Sequence, residues 1–328
     1  MAKMTKKQVV VDFLAKNPTM PSLTAARALK AKEPLIFDSV EQARTTVRLV
    51  RGKKGVSKRR YKVFEQSTIL PDELPKSHAE ERKPFFIPSQ NDNALIISDL
   101  HIPYHSNEAI SLALNFGKKA QVNTIIINGD LLDFHGLSRF QKDPRKRSVK
   151  EEFDAARQFL ALLRKKFPNA GIYWLEGNHD SRYPKWLYSH AAEIWDDSYY
   201  SLQERLALTD HGVTFIPENQ LVMLGKLSIT HGHHIIRGIF APVNSARGVF
   251  TKAYESHLIG HTHKPSEHNQ PTLHGKLITT WSTGCLCELN PDYSPFVSGA
   301  SHGFAHVTVE KSGEYHVRNY RIYNGKLL

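Results

Sequence analysis

The chain has only two cysteines, Cys285 and Cys287, among 328 residues. They stand one residue apart in a stretch that reads as a strand. No disulfide framework can be built from them, and a reducing compartment is expected. They read as inert, partly buried thiols. Long hydrophobic runs are missing too: nowhere do about 18 apolar residues follow one another, as a membrane-spanning helix requires. The opening MAKMTKKQVVVDFLAKN is basic and then apolar, but Asp12 interrupts it and no small-residue cleavage site follows, which argues against a secretory signal. Internal repeats and low-complexity segments are likewise missing. The expected setting is cytoplasmic, with no membrane partner.

What is present is a lopsided charge. The net charge is +12, and residues 1–65 hold 16 Lys and Arg against 5 Asp and Glu, whereas residues 66–328 hold 28 against 27. Nearly all of the basicity belongs to a small N-terminal piece, so two modules with separate tasks are expected. KKQVVVDFLAKN carries Val9, Val10, Phe13 and Leu14 at helical spacing. SLTAARALKAK is a second helix, announced by Pro21 and Ser22. SVEQARTTVRLVRGKKG is a third, with Ser39 as N-cap, Gln42 completing a capping box and Gly52 ending it. Arg44, Arg48 and Arg51 recur along one face, and Lys53, Lys54, Arg59 and Arg60 follow. Three short helices with an arginine stripe resemble a helix-turn-helix type of module, and this density of charge suits a nucleic acid. The bland reading is a helical bundle with a solvated basic face.

Residues 66–93, with Pro71, Pro75, Pro84 and Pro88 among polar residues, read as a linker. From Ala94 the pattern changes. ALIIS, NTIIIN and GIYWLE are short apolar strands separated by the helices NEAISLALNFGKKA and KEEFDAARQFLALLRKKF. Such alternation predicts an α/β domain with parallel strands and helices packed on the sheet. VTFIP, KLSIT, SHLIG, KLITTW, FAHVTVE and EYHVRNYRIY make the second half β-rich, with one helix around APVNSARGVFTKAY.

The strand ends carry the chemistry. ALIIS runs into Asp99 and His101, NTIIIN into Gly129-Asp130-Leu-Leu-Asp133, and GIYWLE into Gly177-Asn178-His179-Asp180. KLSIT runs into His231-Gly-His233, and SHLIG into Gly260-His261-Thr-His263. Five strands thus deliver Asp, Asn or His just past their C-terminal ends, the edge where ligand sites form in such sheets. D-x-H and H-x-H on extended backbone would put alternate side chains on one side. Carboxylate, imidazole and amide oxygen suit Mn²⁺, Fe, Zn²⁺ or Co²⁺, and there are enough donors for two ions sharing a carboxylate. Gly129, Gly177, Gly232 and Gly260 allow tight turns and close backbone approach.

D-x-H, GD-xx-D, GNHD, H-G-H and GH-x-H in this order resemble the calcineurin-like metallophosphoesterase superfamily over about Ala94 to Trp281. Arg44, Arg48 and RGKKG also resemble N-terminal regions that some phage phosphoesterases carry. The resemblance implies a four-layer αββα sandwich over residues 94–328, behind a small N-terminal helical domain (1–65) and the linker. It implies that Asp99, His101 and His263 hold one divalent ion, that Asn178, His231 and His261 hold another, and that Asp130 bridges both. Mn²⁺ is the first expectation, with Fe, Zn²⁺, Co²⁺ or Ni²⁺ as alternatives. His179 would face the substrate, oriented by Asp133, and protonate or stabilise the leaving oxygen while a hydroxide held between the ions attacks phosphorus.

Asp180 reads as a structural residue of its turn, and His135 and His234 as bystanders. His233 and His105 are either phosphate contacts or polar rim residues. Arg139, Lys142, Arg145, Lys146, Arg147 and Lys150 follow the GD-xx-D strand and would attract a phosphate-rich substrate, with Arg182, Arg237 and Arg247 as weaker candidates of the same kind. The expected substrate is a nucleic acid, cut or trimmed at its ends. The alternatives are a general phosphatase or phosphodiesterase for small molecules or phosphoproteins, and a DNA-binding regulator with an accessory phosphoesterase domain.

Overall fold

The computed structural model describes residues 5–52, 74–79, 81–138, 148–236, 243–290 and 299–328. It divides into two compact units, residues 1–79 and 80–328.

The first unit contains three helices, α1 (Lys6–Lys16), α2 (Ser22–Lys32) and α3 (Val40–Val50). Val9, Val10, Leu14, Ala25, Ala26, Leu29, Phe37, Ala43 and Val47 form its core, so the helical faces expected from spacing do meet. Ser39 caps α3 by accepting the Gln42 N–H at 3.1 Å. Gln42 returns a bond not to Ser39 but to the N–H of Asp38, at 2.9 Å. Gly52, with φ 67°, follows the end of α3. Ala-rich packing surfaces let α2 and α3 approach closely around a core of modest size.

The second unit is a sandwich of two sheets. Its elements in chain order are β1 (Phe85–Phe86), β2 (Asn93–Ile97), α4 (Asn107–Lys119), β3 (Thr124–Asn128), α5 (Val149–Lys166), β4 (Gly171–Leu175), α6 (Arg182–His190) and α7 (Leu202–Arg205). There follow β5 (Val213–Ile216), β6 (Val222–Leu224), β7 (Leu227–Ile229), α8 (Ser245–Ala253), β8 (His257–Ile259), β9 (Ser266–Pro271), β10 (Leu277–Ser282), β11 (His302–Val309), β12 (Tyr315–Tyr323) and β13 (Lys326–Leu327). One sheet has the order β13-β12-β11-β2-β3-β4-β5, the other β1-β6-β7-β8-β10-β9. In the first sheet β2, β3, β4 and β5 are parallel; in the second, β7, β8 and β10 are.

Side-chain alternation explains the layers. Leu95, Ile97, Ile125, Ile127, Ile172 and Trp174 point into a core shared with α4 and α5. Ala94, Ile96, Ile126, Tyr173 and Leu175 point the other way, against Val222, Leu224, Leu227, Ile229, Leu258 and Trp281 of the second sheet. Strands buried on both faces read as continuous apolar runs, as ALIIS and NTIIIN do. On the outer side of the second sheet, α8 packs against β8, β9 and β10. The result is the expected αββα arrangement.

One expectation needs correction. The stretch 66–93 was expected to be a linker throughout, yet Phe85 and Phe86 pair with Val222 and Met223 at the edge of the second sheet, and Ile87 is buried. Pro84 and Pro88 flank this pair rather than interrupt it, a placement compatible with an edge strand. Residues 53–65, with the basic tail, and residues 66–73 of the linker lie outside the described residues.

Candidate metal centre and active site

The C-terminal ends of β2, β3 and β4 in one sheet and of β7 and β8 in the other open onto one place. Asp99, His101, Asp130, Asn178, His231, His261 and His263 all come from these ends. The backbone does not present them as expected, however. D-x-H and H-x-H are not extended: Asp99, His101, Asp130, His261 and His263 have φ of 55°, 49°, 51°, 61° and 57°. The left-handed region is costly for residues with a Cβ, by roughly 1–2 kcal/mol each. Backbone bonds hold the coil: Asp99 N–H to Gly129 O at 3.1 Å, His101 N–H to Asp130 O at 3.0 Å, and Gly260 N–H to His231 O at 3.0 Å. Gly177 is required here because a methyl group on it would overlap the Asp130 carboxylate.

Tautomers follow from fixed partners. His231 Nδ1 lies 2.8 Å from the Asn128 carbonyl, which can only accept, so that nitrogen carries the proton. Its Nε2 then faces Asp130 Oδ2 at 3.2 Å, Asn178 Oδ1 at 3.2 Å and Asp99 Oδ1 at 4.0 Å. His101 Nδ1 contacts the Asp133 carboxylate at 3.1 Å, and its Nε2 faces His263 Nε2 at 3.3 Å and Asp130 Oδ2 at 3.7 Å. Asp99 Oδ1 is buried without a hydrogen-bond donor, 3.2 Å from His263 Nε2. Lone pairs therefore converge in a buried site with few donors among them. Such an arrangement calls for positive charge, from divalent cations or from protons on the rings. The donor set fits divalent cations, and Asp130, His231 and His261 bring ligand atoms within 4.8 Å of one another.

The electrostatics agree. Burial alone would lower the pKa of His231, but the charges of Asp130 and Asp99 and its hydrogen bonds outweigh it and push it up to about 9. Burial would raise Asp99, but His263 and His231 bring it down to about 2. Burial, with His231 beside it, lowers His261 to about 4.

His179 stands at the edge of this cluster, its ring centroid 4.3 Å from that of His101 and edge-on to it. Its Nδ1 donates to the backbone carbonyl of Asp133 at 2.9 Å, while the Asp133 carboxylate sits between His101 Nδ1 and His179 Nδ1, at 3.1 and 3.3 Å. Asp133 thus aligns two rings, chiefly through its carbonyl in the case of His179. His179 Nε2 receives a bond from Arg182 Nη2 at 3.0 Å. Asp180 is wholly buried and accepts from Leu132 N–H and Gly177 N–H at 2.9 Å and from Trp174 Nε1 at 3.3 Å, as befits a structural residue.

His233 lies with its ring 5.5 Å from that of His231, and its Nε2 contacts Glu218 at 3.2 Å. Glu218, which also accepts from Lys185 at 2.9 Å, was not singled out in the sequence. It follows β5 in IPENQ with no motif around it. Cys287 Sγ lies 3.9 Å from His263 Nδ1, so this thiol backs a ring of the cluster. Arg139, Arg145 and Arg147, and in the first unit Lys53, Lys54, Arg59 and Arg60, lie outside the described residues. Arg44 pairs with Glu41 at 3.4 Å, Arg48 is half-buried, and Arg51 donates to Ser22 Oγ at 2.9 Å and Met20 O at 2.6 Å. Among the described residues, no helix is long and apolar enough to cross a membrane.

Carboxylate, amide and imidazole donors meeting at the edges of two facing sheets mark a metal-site α/β sandwich. The pattern of the calcineurin-like phosphoesterase family matches residues 93–280, more than half of the chain, and the chain belongs to that family. Its members hydrolyse phosphoesters with divalent metals. The Gene 54 proteins of Mycobacterium phages L5 and D29 are each 27% identical to it, over 235 and 230 residues, spanning 66% of this chain and 88% of theirs. Among solved structures, vacuolar protein sorting 29 from Cryptosporidium parvum is similar with a TM-score of 0.40 at 19% identity, covering 72% of this chain and 94% of that one.

Proposed function

We propose that this chain is a phosphoesterase that works with two divalent cations sharing Asp130, and that its substrate is a nucleic acid. The observation that carries the dinuclear reading is the position of Asp130 Oδ2, 3.2 Å from His231 Nε2 and 3.7 Å from His101 Nε2. One cation would be held by Asp99, His101 and His263, the other by Asn178, His231 and His261. The nitrogen- and oxygen-only donor set suits Mn²⁺ first. Bound cations would supply a water acidic enough to ionise near neutral pH and positive charge for the phosphoryl oxygens.

The chain's own residues do the rest. Asn178 offers an amide oxygen that needs no deprotonation, so its contribution is independent of pH. Asp133 and the Asn128 carbonyl fix which nitrogen of His101, His179 and His231 faces inward. Asp130 Oδ1 accepts the His179 N–H at 2.8 Å, which locks the GNHD turn to the shared carboxylate. His179 Nε2, which faces Arg182, would steady the leaving oxygen once it carries a proton. The basic first unit would hold the polymer by its phosphates. This substrate reading is supported by the 16 Lys and Arg within residues 1–65.

A Mn²⁺-supplemented panel of single- and double-stranded DNA, RNA, a phosphopeptide and aryl phosphate mono- and diesters tests this, with a His179→Asn variant as control. Nucleic-acid cleavage that needs residues 1–79 supports the reading. Equal activity of residues 80–328 alone on every substrate would remove the first unit as a substrate guide.

A further inference from the structure

The helix that follows the GNHD turn has a use that the metal cluster does not exhaust. Arg182 opens α6, and its guanidinium donates to His179 Nε2 at 3.0 Å and to the Asp133 carbonyl at 2.8 Å. A guanidinium has donors only, and a carbonyl only accepts. Because His179 Nδ1 also lies 2.9 Å from the Asp133 carbonyl, His179 carries its proton on Nδ1 and a lone pair on Nε2. A planar cation is thus parked on the one nitrogen of His179 that faces outward, half-buried at the edge of the site. Phosphoryl oxygens can engage it, because charge-assisted, two-pronged bonds to phosphate are stronger than its bonds to a neutral imidazole and a carbonyl. Engagement of Arg182 by substrate would free His179 Nε2.

One helical turn on, about 6 Å along the axis and on the same face, stands Trp186. It is 38% exposed, yet ordered: the His190 ring lies against it at 13° and 5.3 Å, and His190 Nδ1 bonds the Trp186 carbonyl at 3.1 Å. The indole is backed by the His190 ring and partly exposed. A flat aromatic surface held in place next to a phosphate-seeking cation suits a nucleobase, because every base has a face to stack.

We infer that α6 is a nucleotide-recognition face, on which Arg182 takes a phosphoryl oxygen and Trp186 stacks on the base of the same nucleotide unit. This rests on the phosphoesterase reading and narrows it to unpaired, base-bearing substrates.

Binding tests it without turnover. Mn²⁺-loaded full-length protein is titrated by calorimetry with inorganic phosphate and with a nucleotide analogue that cannot be hydrolysed, a nucleoside whose 5′ oxygen is replaced by a methylene (a 5′-phosphonate), for the wild type and for Trp186→Ala, Trp186→Phe, Arg182→Ala and Arg182→Lys, with metal content measured for each. The wild type should bind the nucleotide about 10-fold more tightly than phosphate, in line with stacking of roughly 1–3 kcal/mol. Trp186→Ala should abolish that preference and leave phosphate affinity unchanged, while Trp186→Phe recovers part of it. Arg182→Ala should weaken both ligands, with Arg182→Lys only partly restoring them and metal content unchanged throughout. Equal affinity of wild type for phosphate and nucleotide, or a preference that survives Trp186→Ala, overturns the inference. So does unchanged phosphate affinity in Arg182→Ala. Intact nucleotide preference in a protein that hydrolyses no phosphoester would instead sink the catalytic reading and leave this one standing.

Discussion

Asp130 is tied to His179 through the backbone: the His179 N–H donates to Asp130 Oδ1 at 2.8 Å, which leaves Oδ2 to face His231. The Asp130 carboxylate and the GNHD turn are therefore one unit, but the imidazole of His179 is not part of the link. A His179→Asn change keeps that N–H. Metal content should stay at the wild-type level while turnover falls by about 10²–10⁴. Asp130→Asn should show the reverse order of loss, with bound metal falling first. Metal analysis beside kinetics on an aryl phosphate distinguishes the two; metal lost from the His179 variant would mean that its ring is a ligand.

Cation binding should release protons. Without a cation His231 has its pKa pushed up to about 9, so near neutral pH it is charged, and a cation must displace that proton. Burial would lower His263 as well, but Asp99 holds it well above its usual value, so apparent Mn²⁺ affinity should rise with pH through the neutral range and continue to rise up to at least about 9. Titration calorimetry in two buffers of different ionisation enthalpy reads the proton release directly. Chelation should lower the thermal midpoint by mass action.

Asp180→Asn should destabilise the second unit. Both carboxylate oxygens accept from buried N–H groups, and an amide nitrogen in either position would meet a donor. The cost should be about 2–3 kcal/mol, read as a lowered midpoint of urea or thermal unfolding. An unchanged midpoint would remove Asp180 from the structural role.

The strands and the polar residues at their ends were legible because the strands are buried on both faces, so ALIIS, NTIIIN and GIYWLE carry apolar runs that end in polar residues. What carries no such signal was missed or misread. The two residues of β1 gain their strand only from pairing with β6, which lies more than 130 positions away. The left-handed backbone at Asp99 and His101 is held by bonds to Gly129 and Asp130, about 30 positions away, and that at His261 by its N–H bond to Asp99 Oδ2, and D-x-H alone is equally compatible with an extended segment. Arg51 was grouped with Arg44 and Arg48 by helical spacing, but the carbonyl at Met20 that holds it cannot be seen in the spacing. Glu218 sits in a loop where nothing local marks it.

Glu218 supplies a pH dependence. Burial would raise its pKa, but the bonds from His233 and Lys185 prevail and lower it to about 2. A carboxyl with a depressed folded-state pKa stabilises the fold above its unfolded value near 4.5, and that contribution is lost as pH falls towards 2. Its size is on the order of 1–3 kcal/mol. Stability measured between pH 5 and pH 2 should fall less steeply in Glu218→Gln than in the wild type. Parallel curves would show that Glu218 gains nothing from its partners.

The arginines of α3 should separate into two kinds. Arg51 spends its guanidinium on Ser22 Oγ and on the carbonyl of Met20, joining the end of α3 to the start of α2. Bonds to a charged group of this sort contribute about 1.5–3 kcal/mol, so Arg51→Ala should lower the stability of the first unit by roughly that amount. Arg48 lies one turn earlier on the same face and is half-buried, and it is the better candidate for a phosphate contact. Arg48→Ala should leave the unfolding midpoint within about 0.5 kcal/mol of wild type. It should also weaken binding to a DNA oligonucleotide and make the slope of log affinity against log salt shallower by about one contact. Fluorescence anisotropy over a range of salt concentrations measures both the affinity and the slope. If Arg48→Ala leaves the slope unchanged, Arg48 makes no phosphate contact and its charge serves solubility.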